Sequence, residues 1–124
     1  MGTHQEAIVR SFLDSLVAHD LEAAVGHYAN DATFHVSAWQ APLVGIEAIR
    51  GLLEREVDLS DYRYTIRNSA SSDNVVFTEV VDGFRLDEKE ITMHGSSVWE
   101  INDAGKITAR RDYWDAKEFD QQVD

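Results

Sequence analysis

The 124-residue chain predicts an α+β fold, with three helices in its N-terminal half laid against one face of a strongly curved, mixed or antiparallel sheet. Three observations predict it. Apolar residues recur at helical spacing before residue 60, the period drops to two from residue 61, and polar turn stretches divide the remainder into four strands.

Ile8, Val9, Phe12, Leu13, Leu16 and Val17 form the apolar stripe of a first helix over residues 4–18, which packs on the sheet. Asp20 can cap a second helix, whose Leu21, Ala24, Val25 and Tyr28 share a face and which ends near Asn30 and Asp31. A short strand, ATFHV, occupies 32–36. Pro42 and Gly45 punctuate a loop before a third helix that buries Ile46, Ile49, Leu53 and Val57. DYRYTIRN then alternates Tyr62, Tyr64 and Ile66 against Arg63, Thr65 and Arg67, SSDN turns the chain into VVFTEVVDGFRL, and DEK leads to EITMHGSSVWEI. NDAG, with Gly105 at its end, leads to the last strand, KITARRDYW. The order is ααβαββββ, in a single domain over 1–124 without internal repeat or linker. Three helices cannot fill the concave side of such a sheet, and the space left over is the natural ligand pocket.

Composition narrows the ligand. A hydrophobic content of 44% and a charged fraction of 27% are those of a globular domain. Eleven basic against 23 acidic residues, a formal charge of −12, argue against nucleic acid or an anionic membrane as partner, since phosphate binding needs clustered positive charge. A small neutral or apolar molecule fits better. The chain has no cysteine, hence no disulfide, thiolate metal site or cysteine nucleophile, which is compatible with a reducing compartment. Neither a signal-like apolar region nor a run of eighteen apolar residues occurs, so the expected location is cytoplasmic. The five histidines lack the spacing of a helical zinc motif, and Asp-x-x-Asp at 112–115 does not make one, so neither metal nor cofactor is expected.

Strand parity selects the chemistry. Val76, Thr78, Val80, Asp82 and Phe84 share one face of their strand, and Thr108, Arg110, Asp112 and Trp114 share one face of the last. If Asp112 points inward, Arg110 does too, while Arg111 and Tyr113 point out. Asp115 lies past the alternation and is expected to stabilise the start of the C-terminal turn. Burying an unpaired carboxylate costs several kcal/mol or shifts its pKa until it is neutral. Acid-base chemistry uses that cost, keeping one carboxyl protonated as donor while a neighbour, held ionised by a cation, acts as base. Asp82, Asp112 and Arg110 form a candidate set of this kind; the alternative is an ordinary salt bridge between Arg110 and Asp112 at the sheet edge, with Asp82 solvated.

YANDATFH, TEVVDGF and GKITARRDYWD, with the order of elements, make the chain resemble the nuclear transport factor 2-like superfamily. The nearest branch is that of limonene-1,2-epoxide hydrolase, and the polyketide cyclases and ketosteroid isomerases are wider relatives. The resemblance implies a cone-shaped sheet, a homodimer and, in that branch, an Asp-Arg-Asp triad in which one Asp activates water and the other protonates the epoxide oxygen. Carried over by motif, the water-activating Asp is Asp112 in RRDYWD and the acid is Asp82 in TEVVD. The branch's Arg falls on Val80, and its water-holding Tyr and Asn fall on Phe34 and Val36, so three of five polar groups differ. Arg110 can restore the bridging charge, and Tyr64 can supply a phenol to a water or substrate oxygen. Leu13, Leu16, Phe34, Val36, Phe84 and Met93 match pocket positions of the branch, and Val80 and Trp114 join them by strand parity, a lining suited to a terpenoid, steroid or polyketide-like substrate.

Two further functions stay open. Dehydratases of the superfamily pair His with Asp, and His94 would suit this opposite Asp82 if a bulge at GSS changed its face. Alternatively, the pocket only binds its ligand. A buried His94 near Asp82 favours dehydration or isomerisation, Arg110 bridging both aspartates favours water activation, and a solvent-facing Arg110 favours binding alone. A homodimer would cover an outer sheet face carrying Phe77, Val81 and either Val98 or Trp99.

Overall fold

The computed structural model describes residues 3–123. Helix α1 (His4–Val17) starts at Thr3, whose side chain accepts the backbone N–H of Glu6. Asp20 caps α2 (Leu21–Gly26) through the N–H of Ala23 at 3.1 Å, as its position predicts. Helix α2 is shorter than expected. Tyr28 is not on its apolar face but opens β1 (Tyr28–His35), because its backbone pairs with Ile107. Asn30 and Asp31 therefore lie within a strand, where the register against the last strand shifts between Tyr28 and Thr33.

A two-residue strand β2 (Leu43–Val44), not expected from the sequence, precedes α3 (Ile46–Val57), which buries Ile49, Leu53 and Val57. The long strands come next as β3 (Ser60–Ser72), β4 (Val75–Leu86), β5 (Lys89–Ile101) and β6 (Ile107–Trp114). Asp73 and Asp87, at φ 53° and 56°, open the two-residue turns of the two longest hairpins, a conformation Asp tolerates better than most residues. Gly105, at φ 80°, closes the turn into β6. A fourth helix, α4 (Ala116–Val123), lies where only a turn was expected. Asp115 does stabilise its start, accepting the N–H of Lys117 at 3.0 Å.

The six strands run in the order β2-β1-β6-β5-β4-β3, antiparallel except for the parallel pair β1 and β6, so the sheet is mixed and open. Its inner face meets the first three helices. Val9, Phe12 and Leu16 from α1 and Ile49 and Leu53 from α3 close on Val76, Trp99, Ile101 and Ile107. Trp99 is buried in this core, with its Nε1 donating to Thr78 Oγ1 at 3.0 Å, so the outer face carries Val98 and not Trp99. No helix among the described residues is long and apolar enough to cross a membrane.

Candidate active site

Beyond the packed core, the inner face of the sheet encloses a cavity of about 330 Å³. Its wall includes Leu13, Leu16, Phe34, Val36, Val80, Phe84, Met93 and Trp114, all expected there from the sequence. Asp82, Arg110 and Asp112 also line it. Parity delivered these three because the β4–β5 register is unbroken from Val75↔Glu100 to Leu86↔Lys89, and β5–β6 is regular from Gly95↔Trp114 to Glu100↔Ala109.

Arg110 is the fixed point of the site. Its guanidinium lies 4.1 Å from the Phe34 ring centre, 4.7 Å from that of Trp99 and 5.3 Å from that of Phe12. Desolvated cation–π contacts of this kind are worth up to about 2 kcal/mol. Arg110 Nε and Nη2 donate to the two oxygens of Asp112, each at 3.1 Å, a bidentate pair. Nη1 donates to the Tyr28 hydroxyl at 3.0 Å and to Glu56 Oε1 at 3.5 Å. Burial would lower the Arg110 pKa, but Asp112, Tyr28 and Glu56 around it raise it well above the ordinary value, so it stays charged. Ser97, in register with Asp112 on the neighbouring strand, donates to Asp112 Oδ1 at 2.8 Å. Asp112 thus has three side-chain donors on it.

Asp82 lives differently. It accepts one hydrogen bond, from the Tyr62 hydroxyl at 2.7 Å, and no bond joins it to Arg110 among the described residues. Burial pushes its pKa up, and the nearby Asp112 adds to this, while Tyr62 and Arg110 pull the other way. The expected bridge from Arg110 to both aspartates is therefore corrected: Arg110 joins Asp112 to Glu56, and Tyr62 attends Asp82. A carboxyl kept above its usual range beside one clamped by a guanidinium can give a proton while its neighbour takes one.

Tyr64 is not in the cavity wall. Although it lies directly opposite Asp82 in the β3–β4 register, α1 covers it first, and its hydroxyl donates to Asp14 at 2.6 Å. Burial and the Asp14 hydrogen bond raise its pKa to about 12. Tyr62, two residues earlier on the same face, reaches Asp82 on the diagonal. His94 is also placed otherwise than the dehydratase reading requires. No bulge occurs at GSS, so His94 pairs with Val81 and Met93 with Asp82; the His94 ring is exposed, with Nδ1 2.5 Å from Glu118 of α4.

Glu56, Tyr62, Tyr28 and Ser97 were missed as site residues. Glu56 had a signal: it lies four residues after Leu52 and three before Leu59, and all three line the cavity. Ser97 alternates with Met93 and Trp99, and Tyr62 shares the parity of Tyr64. Tyr28 carried no such signal, since helical spacing absorbed it. Among the described residues no group of His, Cys, Asp and Glu is arranged to hold a metal ion.

Residues 9–110 match the family model of the SnoaL-like domain. Among solved structures, the chain is similar to an LEH-like epoxide hydrolase from M. tuberculosis, with a TM-score of 0.81 at 22% identity over 96% of this chain and 89% of that one. It is also similar to SalBIII, an epoxide hydrolase/cyclase-like enzyme in pyran ring formation in the polyether salinomycin, with a TM-score of 0.83 at 15% identity over 92% of each chain. At these identities the likeness is one of fold.

Proposed function

The chain belongs to the SnoaL-like domain family of the nuclear transport factor 2-like superfamily, and from that premise we propose an epoxide hydrolase-like enzyme that opens an oxygen-containing ring of a small apolar substrate. The observation that carries this reading is the inequality of Asp82 and Asp112 within one apolar cavity: one carboxyl raised by burial and met by a phenol, the other clamped by a buried guanidinium.

Each residue then has a role. Asp112 accepts a proton from water as the water oxygen attacks an epoxide carbon. The C–O bond of the ring breaks, and Asp82 gives its proton to the departing oxygen. A diol results, Asp112 holds a proton and Asp82 lacks one, and transfer of one proton between them, through solvent, restores the starting state. Arg110 holds Asp112 in place through two hydrogen bonds. Phe34, Trp114 and the aliphatic wall hold a terpenoid, steroid or polyketide-like skeleton and exclude bulk water. If a hydroxyl of the substrate replaces water, the same two proton transfers give a cyclic ether, an outcome of the same type as the pyran ring formation in which SalBIII takes part.

The test is turnover of a panel of terpene and cyclic epoxides, resolved by chiral chromatography, for wild type beside Asp82→Asn and Asp112→Asn. Diol or cyclic ether from wild type, reduced at least about a hundredfold in each variant, is the expected result, since removing a general acid or base costs 10²–10⁴-fold. Unchanged turnover in Asp112→Asn would remove it from the mechanism. A ligand bound but never converted would leave a binding domain. The proposal includes a homodimer formed through the outer sheet face, where Phe77 is 47% exposed beside Val98 and Val81.

A further inference from the structure

Glu56 enters the cavity from the last turn of α3, on the wall that Leu52 and Leu59 also form. Its one protein partner among the described residues is Arg110, and that guanidinium is already committed. Nε and Nη2 are on Asp112 at 3.1 Å, and Nη1 is on the Tyr28 hydroxyl at 3.0 Å. Glu56 Oε1 shares Nη1 at 3.5 Å, the outer limit of a hydrogen bond, and its other oxygen has no protein partner among the described residues.

The groups around Glu56 are Arg110 and Asp112 from β6, Asp82 from β4, Tyr62 from β3 and Tyr28 from β1. One guanidinium thus serves two carboxyls with a third, Asp82, close by, and its good edge belongs to Asp112. A negative charge on Glu56, whose side chain is 23% exposed, would have a single long contact and two other carboxyls close by, which is costly. Burial accordingly raises its pKa; Arg110 opposes this, and Asp112 and Asp82 add to it. A neutral carboxyl is a donor, and its O–H needs an acceptor that the wall formed by Leu52, Leu59, Leu16 and Val36 does not supply.

We propose that Glu56 is a second hydrogen-bond donor of the cavity, recognising an acceptor oxygen of the ligand other than the one that meets Asp82. The ligand is then an apolar compound with two oxygen functions, a ring oxygen and a carbonyl, hydroxyl or ether, and not a hydrocarbon epoxide with one. This rests on the acid-base reading of the cavity for which oxygen reacts, and on Glu56 alone for the second oxygen.

Two measurements test it without turnover. Calorimetry with an unreactive bicyclic monoterpene ether, with and without a ring ketone, should show wild type binding the keto compound about tenfold more tightly. Glu56→Leu should abolish that preference, and Glu56→Gln, which keeps an N–H donor, should retain most of it. Equal affinity in wild type, or a preference that survives in Glu56→Leu, would overturn the assignment. Carbon-13 NMR of the side-chain carboxyls, with the Glu56 signal identified by its absence in Glu56→Leu, should find Glu56 still protonated at a pH where the exposed glutamates have ionised. A Glu56 that ionises together with them would overturn the proposal even if neither ether bound. Diol formation enters neither measurement, so a ketone preference without epoxide turnover would count against the proposed reaction alone.

Discussion

At the scale of single residues, Arg110 and Tyr62 control the two aspartates separately. Arg110→Met would leave Asp112 without its cation in an enclosed site, and breaking a buried pair in this way costs about 3–5 kcal/mol. Urea titration should show a loss of that size, whereas an exposed pair such as Arg50 with Glu22 should cost under about 1 kcal/mol. Tyr62→Phe removes the hydrogen bond that favours ionised Asp82, so the Asp82 pKa should rise and the alkaline limb of the kcat profile should move to higher pH. An unmoved limb would mean that Asp82 is not the acid. Stability carries the same sign. A carboxyl whose pKa is raised by folding binds its proton more tightly in the folded chain, so its contribution favours folding at acid pH and is lost as pH rises through the folded value. Asp82→Asn should therefore melt above wild type near pH 8, by on the order of 1 kcal/mol, and the gap should close towards acid. Thermal melts across pH check this.

The elements differ in how much of them was legible. Strands β4 and β6 were readable because a period of two fixes faces, and Asp82, Arg110 and Asp112 came with it. Which of two tyrosines on one face meets Asp82 was not readable, since it depends on where α1 covers β3. Tyr28 was misread because its packing on Phe12, edge to face at 5.2 Å, satisfies a helical stripe as well as a strand. The apolar period of α3 singles out Ile49, Leu53 and Val57 and passes over Glu56, whose place in the wall follows from the polar partner it meets on β6. Helix α4 escaped for another reason: its ties to the sheet are polar. Beyond the end of β6, the edge of β5 is met by α4 side chains: Gln122 Oε1 accepts the N–H of Thr92 at 2.9 Å, Gln122 Nε2 donates to the Thr92 carbonyl at 2.8 Å, and Glu118 accepts the N–H of His94 at 2.7 Å. These side chains replace a neighbouring strand and blunt an exposed edge. Gln122→Ala should speed hydrogen exchange of the Thr92 amide at least about tenfold while global stability falls by roughly 1 kcal/mol. Unchanged exchange at Thr92 would show that α4 does not protect the edge.

For the molecule as a whole, the sheet separates two tasks. Its inner face holds the cavity, and its outer face carries Phe77, Val81 and Val98 beside the Arg111–Glu100 pair at 2.7 Å. If the outer face joins two copies, Phe77→Lys should shift the sedimentation coefficient from dimer to monomer without changing ligand affinity in the cavity. A dimer that survives the substitution would place the interface elsewhere. The architecture was predictable because local propensity and hydrophobic pattern agree along most of the chain, whereas the charge network was not, because it joins α3, β1 and β6 across the interior. The cavity also has an end that does not belong to the core. Phe119 reaches its wall from α4, a helix with no buried residue, held to β5 largely through polar side chains. Changes at Phe119 can therefore accumulate at little cost to folding, and descendants of this chain can admit new ligands there while Asp82, Arg110 and Asp112 are inherited intact.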